Sequence, residues 1–147
     1  MLKRVFILDD DRATLDAMQE VLSYAGFEVM TTDIADGLER LITEFKPNII
    51  LVDYLLHGNI NGAEVCQRLK ANLSTSHIPV IIISAYSRTI IKSLGHCGCD
   101  NFLAKPFDLS DLIDTLNKTI GFYLNVAHTV NLPNIYNQPA TSKISGN

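Results

Sequence analysis

The chain has 147 residues, 47% of them hydrophobic and 19% charged, which is the profile of one soluble globular domain long enough to bury a core. Its formal net charge of −4 and its scattered Lys and Arg argue against direct nucleic-acid binding, which needs a clustered basic face. No apolar run reaches the roughly 18 residues of a membrane span and no signal peptide is recognisable, so we expect a cytoplasmic protein without membrane contact.

The first half of the chain alternates short apolar runs with helical patterns. We predict strands at about residues 3–8, 27–31 and 48–52. Apolar residues at helical spacing between these runs predict two helices, the first stopped by Gly26 and the second ended ahead of Pro47.

The second half continues the alternation. A third helix is predicted from about Ala63, and strands are predicted at 80–83 and 101–104. A short, weakly patterned helix covers about 88–96, and Asp108 caps the last helix. The pattern amounts to five strand–helix units.

The central strands have sequences typical of a parallel sheet. Runs such as Ile49–Val52 and Val80–Ile83 are continuously apolar, which indicates burial on both faces by flanking helices. With right-handed crossovers, such units form a doubly wound α/β fold whose ligand site lies at the carboxyl ends of the strands.

Polar side chains follow four of the predicted strands at those ends. They are Asp9, Asp10, Asp11, Asp53, Ser84 and Lys105. Clustered carboxylates are costly without a cation, and oxygen ligands suit magnesium, so a divalent metal is expected here. A further carboxylate can act as a nucleophile toward phosphorus, while a hydroxyl and an ammonium stabilise the phosphoryl oxygens. Each residue alone also has a structural explanation, as a helix cap, a helix N-terminal charge or a surface cation.

The three cysteines favour a reducing compartment. Cys66, Cys97 and Cys99 are odd in number and lack a CxxC spacing. A metal site made by His96 with Cys97 and Cys99 is the less favoured interpretation, because small residues at a helix end explain this stretch better.

Four stretches in order resemble one known family. They are Ile7–Asp11, Leu51–Asp53, Ile83–Tyr86 and Phe102–Phe107, and together they are similar to a response-regulator receiver domain of two-component signalling over about residues 3–121. The resemblance implies a flavodoxin-like fold, with a five-stranded parallel sheet in the order 2-1-3-4-5 and five helices.

The resemblance also implies the chemistry. Asp53 takes the position of the phosphoacceptor, which receives a phosphoryl group from a sensor histidine kinase or a histidine phosphotransfer protein. Magnesium would be held by Asp9, Asp10, Asp53 and the backbone carbonyl of Leu55. Asp11 is expected to be a first-turn acid of the following helix and not a ligand.

The switch positions follow from the same resemblance. Ser84 and Lys105 would contact the phosphoryl oxygens, and the Lys105–Pro106 bond is expected to be cis. Ala85 is small where a loop must move, and Phe102 stands at the aromatic switch position. Partner proteins would then bind the face made by helix four, strand five and helix five.

Two departures from the usual family sequence lie just after Asp53. The loop 56–61 is one residue longer than usual, and the apolar Leu55 predicts slow autodephosphorylation. Residues 1–124 are expected to form the receiver domain and 125–147 a polar, partly disordered tail.

A downstream protein target and a phosphorylation-dependent homodimer are the implied partners. The chain is not expected to be an enzyme beyond self-catalysed phosphoryl transfer; the alternatives are a receiver-like binding module without phosphorylation and, less favoured, a magnesium-dependent phosphohydrolase.

Overall fold

Five parallel strands form one sheet in the order β2-β1-β3-β4-β5. A computed structural model of the chain describes residues 2–93 and 98–131. The strands are β1 (Arg4–Leu8), β2 (Glu28–Thr32), β3 (Ile49–Asp53), β4 (Val80–Ser84) and β5 (Asn101–Ala104). The helices are α1 (Arg12–Tyr24), α2 (Leu38–Phe45), α3 (Gly62–Ala71), α4 (Arg88–Ser93) and α5 (Leu109–Asn131). The predicted fold class and strand order are confirmed.

Helices cover both faces of the sheet. Every residue of β3 and β4 is buried, as their continuous apolar sequences predicted. Phe6 and Ile50 point into a core shared with α2 and α3, whereas Ile7 and Leu51 point into a second core shared with α1 and α5. Each such side chain contributes roughly 1.5–3 kcal/mol by burial, so the two cores hold the strand ends in fixed positions.

Small differences at the strand ends matter for the site. β3 and β4 each extend one residue beyond prediction, so that Asp53 and Ser84 are the last residues of their strands. Backbone hydrogen bonds continue at that level, from the amide of Tyr54 to the carbonyl of Ile83 (2.8 Å) and from the amide of Lys105 to the carbonyl of Ser84 (2.7 Å). These hydrogen bonds fix the backbone that carries the side chains of Asp53 and Ser84.

The last helix continues into the segment that the sequence assigned to the tail. α5 continues to Asn131, so residues 125–131, which the prediction assigned to the tail, are helical, and 132–147 lie outside the described residues. Tyr123 donates a hydrogen bond to Asp100, and Asp100 pairs with the Lys70 ammonium at 2.7 Å. This network ties the second half of α5 to the amino-terminal edge of the sheet.

Two further observations concern helices. α4 was predicted over 88–96; the structure describes it over Arg88–Ser93, and residues 94–97 lie outside the described part. Among the helices of the described ranges, none combines the length and the apolar character that crossing a bilayer requires.

Candidate functional site

Strand register brings the predicted site residues to one edge. Leu8 of β1 lies opposite Val52 of β3, so the next residues, Asp9 and Asp53, stand at the same level. On the other side of β3, Asp53 lies opposite Ile83. Ser84 therefore lies one residue beyond that level and Lys105 two residues beyond it, because Ile83 lies opposite Leu103 and Ser84 opposite Ala104.

Three carboxylates meet at this edge. One carboxylate oxygen from each of Asp9, Asp10 and Asp53 lies within 4.8 Å of the others. Asp9 is 3% exposed and Asp53 is 8% exposed, while the side chain of Asp10 is 14% exposed. In the part of the chain that the structure describes, no other group of acids, histidines or cysteines converges in this way.

The donor set fits a hard divalent cation. All three side chains offer oxygen, the ligand type that magnesium prefers. If the three carboxylates are ionised, their charge exceeds that of the neighbouring Lys105 ammonium by two, which one divalent ion would neutralise. The residues present therefore fit the metal that the resemblance implied.

Burial makes this cluster costly to ionise. The pKa of Asp53 is raised chiefly by burial and next by the charge of Asp9, and the Lys105 ammonium offsets part of the effect. The pKa of Asp9 is also raised by burial, against a hydrogen bond that its Oδ1 accepts from the amide of Asp11 at 2.9 Å. A cation at the edge would remove most of this penalty.

Lys105 faces the two buried acids. Its Nζ lies 3.4 Å from Oδ1 of Asp53 and 3.7 Å from Oδ2 of Asp9. The Lys105–Pro106 peptide bond is cis, as predicted. The Lys105 ammonium is therefore close enough to contact an oxygen atom of a group attached to the Asp53 carboxylate.

The hydroxyl of Ser84 is held by its own loop. Ser84 is 1% exposed, and its Oγ accepts a hydrogen bond from the amide of Tyr86 at 2.9 Å. Ala85 between them is exposed, and the ring of Tyr86 meets that of Tyr54 edge-on at 6.0 Å. Phe102 is partly buried and packs against the core on the α2 and α3 side of the sheet.

Asp11 belongs to the helix, with one correction. The helix begins at Arg12, so Asp11 is its N-cap residue and not a member of its first turn. Its carboxylate accepts hydrogen bonds from the amide of Ala13 at 3.2 Å and from the hydroxyl of Thr14 at 2.6 Å. These bonds lower the pKa of Asp11 and direct its side chain to the helix end.

Two residues near the site were not identified from the sequence. His57 places Nδ1 2.9 Å from Oδ2 of Asp10. Gly62 lies so close to β3 that a Cβ there would be 2.4 Å from the carbonyl oxygen of Asp53. The sequence signal for Gly62 was its place after the polar loop and beside Asn61, which caps α3.

Other predicted positions are less constrained. Leu55, two residues after Asp53, is 53% exposed. That the backbone carbonyl of Leu55 binds the metal stays a prediction. The alternative metal site at His96, Cys97 and Cys99 depends on residues outside the described ranges, apart from Cys99, whose thiol is not in a disulfide.

Comparison with known proteins shows the family. The family model of the response regulator receiver domain matches residues 5–117. The DNA-binding dual master transcriptional regulator RpaA of Synechocystis is 33% identical over 115 residues, which are 76% of this chain and 46% of that protein. The nisin biosynthesis regulatory protein NisR of Lactococcus lactis is 35% identical over 124 residues, covering 82% of this chain and 51% of that protein.

Solved structures agree in fold. A CheY-like receiver domain protein of Methanospirillum hungatei has a TM-score of 0.75 at 25% identity, covering 86% of this chain and 99% of that one. The chemotaxis protein CheY4 of Vibrio cholerae, with a TM-score of 0.74 at 20% identity over 81% of this chain and 99% of that one, shows the fold alone.

The chain belongs to the response regulator receiver domain family. Its class is the phosphoryl-accepting switch of two-component signalling. The chain spans about half the length of the curated relatives that it matches.

Proposed function

We propose that Asp53 is the residue that accepts the phosphoryl group, from a phosphohistidine on a sensor histidine kinase or a histidine phosphotransfer protein. The observation that carries this proposal is the convergence of Asp53 with Asp9, Asp10 and Lys105 at one sheet edge of a receiver domain. A carboxylate oxygen of Asp53 forms the new bond to phosphorus as the bond from phosphorus to the donor nitrogen breaks.

The proposed metal is Mg²⁺, held by Asp9, Asp10, Asp53 and the backbone carbonyl of Leu55. When bound, it supplies charge neutralisation for the attacking carboxylate and the transferred oxygens. The protein contributes the rest. Burial keeps water from the Asp53 carboxylate, and Lys105, already 3.4 Å away, pairs with a phosphoryl oxygen.

The switch follows from the charge that the phosphoryl group adds, about two negative charges at neutral pH. Ser84 would exchange its hydrogen bond from the amide of Tyr86 for one that its hydroxyl donates to a phosphoryl oxygen. The loop at Ala85 would move with it, and Phe102, now partly buried, would turn further inward. The conformation of the face formed by α4, β5 and α5 changes, and a downstream protein target binds that face.

The remaining features of the proposal concern the whole chain. Residues 1–124 form the receiver domain, with 125–147 as a tail whose first part continues α5. The chain acts in the cytoplasm through protein contacts, among them a phosphorylation-dependent homodimer, and without direct nucleic-acid binding. It is not an enzyme beyond catalysing its own phosphorylation, because Leu55 provides no acid where an aspartyl-phosphate hydrolase needs one.

Phosphorylation by a small donor tests the proposal. The protein is incubated with acetyl phosphate and Mg²⁺ and examined by intact mass spectrometry, with Asp53→Asn and metal-free samples as controls. One added phosphoryl group that needs both Mg²⁺ and Asp53 supports the proposal. A folded wild-type protein that gains no phosphoryl group, and shows no beryllofluoride-dependent spectral change, would leave only a passive binding module.

A further inference from the structure

His57 places a nitrogen donor beside the three carboxylates of the proposed metal site. It lies on the loop between β3 and α3, and its Nδ1 is 2.9 Å from Oδ2 of Asp10. Asp10 is one of the three carboxylates that converge at the sheet edge. The histidine therefore touches the proposed metal site from the solvent side.

The distance between these two atoms is that of neighbouring metal ligands. In an octahedral site with bonds of about 2.1 Å, adjacent donor atoms are roughly 3.0 Å apart. Nδ1 of His57 and Oδ2 of Asp10, at 2.9 Å, already have that separation, although in the absence of an ion this contact is an ion pair or a hydrogen bond that Nδ1–H donates to the carboxylate. A cation bound by this oxygen of Asp10 would have the ring nitrogen within reach of its coordination shell.

The loop permits the small adjustment that ligation needs. The side chain of His57 is 90% exposed, so no packing holds the ring away from the site. Gly58 follows with φ of +89°, a conformation that costs glycine little. The loop is nevertheless closed by the hydrogen bond from the amide of Gly62 to the carbonyl of Tyr54 at 2.8 Å, which keeps His57 beside Asp10.

We propose that His57 is a nitrogen ligand of the divalent cation at this site and widens its metal preference. Magnesium prefers oxygen and gains little from an imidazole, whereas Mn²⁺, Ni²⁺ and Zn²⁺ bind imidazole well. On ligation the proton of Nδ1 is displaced by the cation, and the neutral tautomer with its proton on Nε2 presents the Nδ1 lone pair to the metal. This inference rests on the proposed metal site and adds one ligand to it.

Titration calorimetry with Ni²⁺ alone and with Mg²⁺ alone tests the proposal. His57→Ala is expected to weaken Ni²⁺ binding about tenfold or more and to change Mg²⁺ binding less than twofold. His77→Ala is the matched control, because His77 is also exposed but lies among the residues at the opposite edge of the sheet. It should leave both affinities unchanged.

A second measurement separates ligation from proximity. In Mn²⁺-loaded protein made with isotopically labelled histidine, pulsed electron paramagnetic resonance should detect nitrogen coupling that disappears in His57→Ala. A double-mutant cycle of His57→Ala with Asp10→Asn should show coupled, non-additive losses of Ni²⁺ affinity, because both residues bind the same ion.

Three results would overturn the inference. Unchanged Ni²⁺ affinity in His57→Ala would exclude ligation, and equal weakening of Ni²⁺ and Mg²⁺ would mean that His57 only positions Asp10. Ni²⁺ binding that survives Asp10→Asn and is not displaced by Mg²⁺ would show a separate surface site. None of these results affects the proposed function, which fails on its own if Asp53 gains no phosphoryl group with Mg²⁺.

Discussion

Gly62→Ala tests how tightly the fold holds the end of β3. The added Cβ would lie 2.4 Å from the carbonyl oxygen of Asp53 and 2.8 Å from the Cα of Tyr54. Ordinary van der Waals contact begins near 3.4 Å, so α3 or the end of β3 must move by about 1 Å. Both obstructing atoms are backbone, and no flexible side chain can turn away to relieve the clash.

The expected cost is a balance of two opposing effects. Alanine in a helix is favoured over glycine by up to about 1 kcal/mol. Forcing an extra carbon into a packed position costs typically about 1–3 kcal/mol, and a clash this close with backbone belongs at the upper end. We therefore expect Gly62→Ala to lower the free energy of unfolding by about 2 kcal/mol and to slow phosphorylation, because Asp53 is displaced.

The measurement is urea unfolding of both variants beside the rate of phosphorylation by acetyl phosphate. Gly121→Ala is the matched control: a Cβ at Gly121 meets nothing within 4 Å, and the residue lies inside α5. This variant should be more stable than wild type by about 0.5–1 kcal/mol and should be phosphorylated normally.

The same substitution is thus expected to have opposite effects at the two glycines. If Gly62→Ala is as stable as Gly121→Ala and is phosphorylated at the wild-type rate, then the contact between α3 and the backbone of Asp53 does not constrain the site.

Four other predictions concern single residues around the fold. Asp11→Ala should lower the free energy of unfolding by about 1 kcal/mol, because the cap of α1 is lost. In a calorimetric titration the same variant should bind Mg²⁺ within twofold of the wild-type affinity, whereas Asp10→Ala should not bind Mg²⁺. Because the raised pKa of Asp53 penalises its ionised form, Asp53→Asn should stabilise the metal-free protein at pH 7. The gain should vanish below about pH 3.8, where the carboxyl is protonated in both folded and unfolded states. Leu55→Asn should speed loss of the phosphoryl group, followed by mass spectrometry, because an amide can position the attacking water that Leu55 excludes. Lys70→Ala should cost about 2 kcal/mol by removing the ion pair with the partly buried Asp100, which keeps its hydrogen bond from Tyr123, with no change in phosphorylation at the opposite edge.

Each of these has an outcome that contradicts it. A large loss of Mg²⁺ affinity in Asp11→Ala would make this residue a ligand. A stabilisation by Asp53→Asn that persists at pH 3 would need a cause other than ionisation. An unchanged phosphoryl lifetime in Leu55→Asn would remove the steric explanation, and slowed phosphorylation in Lys70→Ala would show coupling between the two edges of the sheet.

Much of this protein follows from local sequence. Continuous apolar runs such as Ile49–Val52, alternating with amphipathic helices, are typical of a parallel sheet covered by helices on both faces, so the fold class was predictable. Parallel strands present their carboxyl ends at a common edge, so a site near Asp53 was also predictable. These features depend on residue type and short-range periodicity, which a sequence shows directly.

Tertiary structure decided which atoms meet. Register places Asp9 level with Asp53 and brings Lys105 to 3.4 Å, distances that depend on strand pairing across distant parts of the chain. The contact of His57 with Asp10 depends on the path of an irregular loop, and the requirement for glycine at Gly62 depends on the approach of α3 to β3. The sequence by itself determined the sheet and the chemistry of its edge, while packing and register, which arise between segments far apart in the chain, decided the geometry of the site.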